Sequence, residues 1–191
     1  SDTLQASKIT NLNISSCGLG PNSITILAPT LSTALLELVD ILANPIGDEG
    51  FKIVIEAFES NPNIQSMCGV APGSTEANFS KRGLQPIDIK IIAHELRSTR
   101  SMAVLERLDI SANYYITGGK QKQKWGAGVL VDGTMESDLS GITALAEALP
   151  KSKISQLIMP KCSIGPNSIT ILASTFSKAV VEEVDISDNF P

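Results

Sequence analysis

Three carboxylate pairs recur at one spacing in this chain: Glu37 and Asp40, Glu106 and Asp109, Glu182 and Asp185. Paired acids can move protons, bind cations or attract a basic partner, and their surroundings decide which. Proton transfer needs a base held by an orienting neighbour. The chain has one histidine, His94, inside a helical run with no nucleophile motif. Cys17, Cys68 and Cys162 lack the tight spacing of metal ligands. Residues 47–50, GDEG, and Gly118-Gly119 lack the Gly-Lys-Ser/Thr ending of a phosphate loop, and Asp48 and Glu49 would repel phosphate. These residues therefore assemble no catalytic set and call for no metal or cofactor. A second cluster is basic. Lys120, Lys122 and Lys124 precede the only tryptophan, Trp125. Tryptophan buries well at interfaces, so this is a candidate docking loop. The alternative is a hairpin folded back over the chain with Trp125 packed inward.

The acid pairs are positioned by a repeat. Residues 20–28, GPNSITILA, return unchanged at 165–173, and a nine-residue recurrence marks a repeat protein. Units open on a strand pattern: Ile9-x-x-Leu12-x-Ile14, Leu36-x-x-Val39-x-Ile41, Leu105-x-x-Leu108-x-Ile110, Ile154-x-x-Leu157-x-Met159 and Val181-x-x-Val184-x-Ile186. Three residues further on stands Cys17, Asn44, Asn113, Cys162 or Asn189. A helix follows, with an apolar stripe such as Ile24, Leu27, Ala28 and Leu31, opened by Pro21 where a missing N–H costs nothing. The third unit is irregular. Ile64 and Met67 start a strand pattern, GVAPG at 69–73 breaks it, and it restarts at 75–79 with Arg82 in the turn position. The spacing predicts a single domain over 1–191 with about six units and insertions at about 67–74 and 118–132. Units one and two match units five and six, so the chain reads as a segment of a longer array. Each turn asparagine is expected to bond its own backbone and that of the next turn.

The LxxLxLxxN pattern with a following helix resembles the leucine-rich repeat family, in its ribonuclease-inhibitor-like form. The resemblance implies a right-handed α/β solenoid, a horseshoe segment with a parallel sheet on the concave side and helices on the convex side. It implies that residues between the strand leucines face the concave side, so Glu37, Asp40, Glu106, Asp109, Glu182 and Asp185 would form an acidic wall. Such a wall is either a docking surface for a basic partner or a solvated face. The expected function is a non-catalytic protein–protein interaction scaffold. Resemblance to Ran GTPase-activating proteins allows a second reading, a regulator of a small GTPase.

Composition narrows the partners. A formal charge of −5 argues against nucleic acid and anionic membrane, and no apolar run reaches 18 residues. Three unpaired-looking cysteines favour a reducing, cytoplasmic setting.

Overall fold

A computed structural model describes residues 8–119, 121–122, 130–131 and 136–189. Short strands alternate with helices along the chain: β1 (Asn11–Asn13), α1 (Pro21–Thr33), β2 (Leu38–Asp40), α2 (Gly47–Ser60), β3 (Glu76–Asn78) and α3 (Pro86–Leu96). Then follow β4 (Arg107–Asp109), β5 (Gln121–Lys122), β6 (Leu130–Val131), α4 (Ser140–Ala148), β7 (Gln156–Ile158), α5 (Pro166–Phe176) and β8 (Glu183–Asp185). The class is mixed α/β with parallel sheets. β1 pairs with β2, and β3, β4, β7 and β8 form a four-stranded parallel sheet in chain order. β5 and β6 make a small antiparallel pair.

Alternation along a three-residue strand sends the middle side chain one way and its two neighbours the other. Leu12 therefore stands opposite Val39, and Ala77, Leu108, Leu157 and Val184 stand opposite one another in register. These middle residues point into the core. Helix faces cover them, with α1 against α2, α3 against α4 and α4 against α5. The apolar positions of α1, α2, α3 and α4 account for that contact: Ile24, Val54, Phe58, Ile92 and Leu145 are all buried.

The turn after each strand repeats one geometry. Ser16, Ala43, Lys81, Ala112, Lys161 and Asp188 all take positive φ, between 53° and 59°. The next residue is the turn position. Asn44 Oδ1 accepts from the N–H groups of Cys17 and Leu19, while its Nδ2 donates to the carbonyls of Ile14 and Ile41. Asn113 does the same with Arg82, Leu84, Phe79 and Ile110. Asn189 does so with Cys162, Ile164, Met159 and Ile186. The amide thus locks its own turn to the preceding one, the reverse of the expected direction. Its carbonyl meets outward N–H groups of the earlier turn, which no ladder pairs. Cys162 supplies half of this lock, its thiol donating to the Ile110 carbonyl at 3.1 Å. Arg82 keeps the backbone geometry although its side chain leaves the turn.

The irregular third unit is held by buried polar side chains. Ser66 bridges to Leu38 in the parallel sense and Cys68 to Asp40 in the antiparallel sense, so the 64–68 stretch lies beside β2. Met67, in the 67–74 stretch, is fully buried there. From α3, Glu95 accepts from the Ser66 hydroxyl at 2.9 Å and from the Met67 N–H. One end of the same helix carries Asp88, which accepts from the N–H groups of Ala43 and Gln85 at 2.8 Å each. Arg100 closes the bundle of chain ends by donating to the carbonyls of Phe58, Asn61 and Ile64.

Candidate recognition face

The sheet surface away from the helices carries two rows of side chains. Strand register fixes them. The first row on the four-stranded sheet runs Glu76, Arg107, Gln156, Glu183, and the second runs Asn78, Asp109, Ile158, Asp185. On the two-stranded sheet the rows begin with Asn11 and Leu38 and with Asn13 and Asp40. Neighbouring strands lie about 4.8 Å apart, so Asp109 and Asp185, with Ile158 between them, stand roughly 10 Å apart.

This corrects the acidic wall that the resemblance implies. Residues three apart cannot share a strand face, so Glu37, Glu106 and Glu182 do not line the rows with their aspartates. They precede their strands and lie exposed at the rim. Leu38, Arg107 and Glu183 take the row positions instead. Arg107 breaks the acidic run and donates to Gln156 Oε1 at 3.0 Å. Asp40 is already occupied. Arg82 reaches it from the third turn, donating to both carboxylate oxygens at 2.9 and 2.7 Å. Burial pushes the Asp40 carboxyl up, and the guanidinium opposes that. Among the described residues Glu76, Asp109, Glu183 and Asp185 form no ion pair.

The aspartates have a second duty. Asp109 Oδ1 accepts the N–H of Ser111, and Asp185 Oδ1 accepts that of Ser187, both at 2.9 Å. Asn13 and Asn78 bond Ser15 and Ser80 in the same way. Each strand thus ends in a turn nucleated by its last polar side chain. These bonds to Ser187 hold the Asp185 carboxyl below its ordinary range.

No family model matches this chain, and no curated protein matches it. The face must therefore be read from its own chemistry.

Of the basic loop, Lys120, Lys124 and Trp125 lie outside the described residues. Lys122 belongs to β5, where its backbone stands opposite Leu130. The legs of this loop meet where Gly118 bridges to Glu136. Gly118 has φ +75°, and a Cβ there would sit 2.7 Å from that of Asp138, so the closure requires glycine. Beyond it, Glu136 places its carboxylate on the N-terminus of α5. It accepts from the N–H groups of Gly165, Asn167 and Ser168 at 3.1, 3.1 and 2.7 Å. Those bonds hold the Glu136 carboxyl below its ordinary value against the opposing pull of desolvation. Nothing in the spacing of Glu136 announced this role.

His94 is half-buried, 3.5 Å from Glu59 and edge-on to Phe58. Burial pushes its pKa down. Burial also raises Asp88 to about 6 and Glu95 to about 7. Their apolar-looking helix hid them, since nine of the residues of α3 are buried, polar ones included. Among the described residues no group of three His, Cys, Asp or Glu side chains could hold a metal ion. No helix among them is long and apolar enough to cross a membrane.

Proposed function

We propose that this chain is a non-catalytic recognition scaffold of the leucine-rich-repeat kind, a right-handed solenoid segment whose open strand face binds a basic protein segment. The register of the four-stranded sheet carries this reading. It ranks Glu76, Asp109, Glu183 and Asp185 on one sheet surface, and among the described residues no cation pairs with them. A surface built on short rigid strands pre-organises such groups at little entropic cost. Asp40 supports the partner chemistry, because the equivalent position on β2 already grips a guanidinium with two bonds. The turn interlocks at Asn44, Asn113 and Asn189, spaced 27 or 31 residues from the turns they hold, support the repeat assignment.

The test uses arginine-containing extended peptides on the full chain, with neutral glutamine analogues as controls. Binding that weakens with salt and is lost in the Asp109→Lys, Asp185→Lys double variant supports the reading. Unchanged binding by that variant, with its far-ultraviolet circular dichroism intact, overturns it.

A further inference from the structure

A cleft opens between α2 and α3 on the helix side of the molecule. The irregular third unit causes it. Residues 61–74 lay extra chain beside β2, and of the neighbouring helices α2 and α3 touch least. Where both helices end, the gap measures about 580 Å³ and is lined by Phe58 and Glu59 of α2, His94 of α3 and the loop 97–100. Three of these side chains carry or can gain positive charge. Arg97 has Glu147 as its ionic neighbour at 3.9 Å, beyond hydrogen-bond reach. Arg100 ties down one nitrogen, Nη1, which donates to the carbonyls of Phe58, Asn61 and Ile64. Those bonds, with its place 4.0 Å over the Phe58 ring, hold the guanidinium still. They also satisfy carbonyls at the end of α2, which lessens the repulsion a helix C-terminus offers an anion. His94 stands on a third side, 3.5 Å from Glu59, and the exposed Thr99 adds a hydroxyl. The opposing acids, Glu59 and Glu147, each have side chains 64% exposed, where solvent screens them.

We propose that this cleft binds a small hydroxylated phosphate monoester, of the sugar-phosphate or glycerol-phosphate class. The phosphate would sit between Arg97, Arg100 and His94, where guanidinium forks match its oxygens. A phosphate fills only part of a space this size, so the rest takes an organic body. The lining makes that body polar. Phe58 is 2% exposed and offers no open ring, whereas Ser98, Thr99 and Glu59 present hydroxyl and carboxylate oxygens. Glu59 would accept from the hydroxyl groups of the ligand. The cleft shares no residue with the strand face, so either reading can fail without the other.

His94 is the only histidine, so its imidazole resonances report on the site alone. Glycerol 3-phosphate is titrated into the full 191-residue chain and followed by NMR. Saturable shifts of the His94 ring are expected. Burial lowers the His94 pKa, Glu59 raises it, and Arg97 and Arg100 lower it. A bound phosphate adds a second negative neighbour, so the His94 titration midpoint should rise by about one unit on saturation. Arg97→Gln weakens binding about ten-fold, Arg97→Lys less, and Lys178→Gln, on the exposed turn after α5, leaves it unchanged. The Arg97 side chain is one-third exposed, so its variants keep their fold, checked by thermal unfolding. Thr99→Val, which removes the hydroxyl, serves if they do not. Inorganic phosphate should bind about five-fold more weakly, and glycerol should give no shift. Three results would overturn the proposal: no saturable His94 shift at millimolar ligand, affinity indifferent to both the Arg97 and Thr99 substitutions, or tighter binding of phenyl phosphate than of glycerol 3-phosphate.

Discussion

Residues 20–28 and 165–173 are chemically identical, yet they live in different surroundings. Ile24 is fully buried, and its twin Ile169 is 39% exposed. Ile26 is bare, and its twin Ile171 is packed. The two copies thus bury opposite flanks of one helix. α1 leans on α2, the helix that follows it, and α5 leans on α4, the helix that precedes it. The lesson is that the segment's helix is set locally, by Gly and Pro at its start and the spacing of Ile and Leu. Burial is set by whichever neighbour is present. Stability in such a stack resides in the contacts between units, and those contacts are what experiments should cut.

The deepest cut is at Asn113. It is fully buried and bonds two turns at once. Asn113→Ala should cost about 3 kcal/mol or more, since it strands two N–H groups and two carbonyls away from water. Asn189 makes the same bonds but is half-buried, and Asn189→Ala should cost about 1 kcal/mol. Denaturant unfolding of both variants measures the difference. Equal losses would mean that the neighbour, and thus the comparison, does not matter.

These asparagines also measure how far the sequence could be read. Strand, turn and helix were legible because Leu-x-x-Leu-x-Ile and the following Asn state their positions without reference to the rest of the chain. The row positions were not. Glu37 and Glu106 looked like partners of Asp40 and Asp109 only while the two-residue period of the strand was left out. Arg82 stands in the turn position of an irregular unit, and its partner, Asp40, lies 42 residues away. Glu95 and Glu136 were silent for the same reason: each acts on a backbone segment about 30 residues distant in sequence. Long-range capping by a single carboxylate leaves no local pattern.

The third unit has Arg82 where the others carry a turn asparagine or cysteine, and it meets the second through buried acids, so it should respond to pH where the others do not. Glu95 is raised from 4.5 to about 7 and Asp88 from 3.8 to about 6. A carboxyl whose folded pKa is raised keeps its proton longer in the folded state. Its contribution is full below about pH 4 and declines as pH rises toward about 7. The two groups together should cost about 6 kcal/mol over that window, and Glu95→Gln should remove about half of it. Thermal midpoints from pH 4 to 8 provide the check; an unchanged slope in the variant would assign the dependence elsewhere.

Thiol chemistry sharpens the comparison at smaller cost. Cys17 is exposed, whereas Cys162 is buried with its thiol pushed up to about 12, and burial also pushes Cys68 up. At pH 8 one thiol should react with a disulfide reagent in the native protein and three after unfolding. Rapid reaction of Cys162 would mean that its unit is not covered.

The smallest effect is in the turns. Ala112 has φ 55°, a conformation that costs an alanine about 1 kcal/mol. Ala112→Gly should stabilise by about 0.5 kcal/mol once the freer unfolded chain is subtracted. A loss in chemical denaturation would show that the turn is not held in that geometry.

Amide hydrogen exchange shows whether one sequence is protected or bare according to its neighbour. Gly165, Asn167 and Ser168 should exchange slowly and Gly20, Asn22 and Ser23 fast, with Glu136→Gln bringing the two sets together. Equal rates in the unsubstituted chain would mean that the neighbour does not protect them.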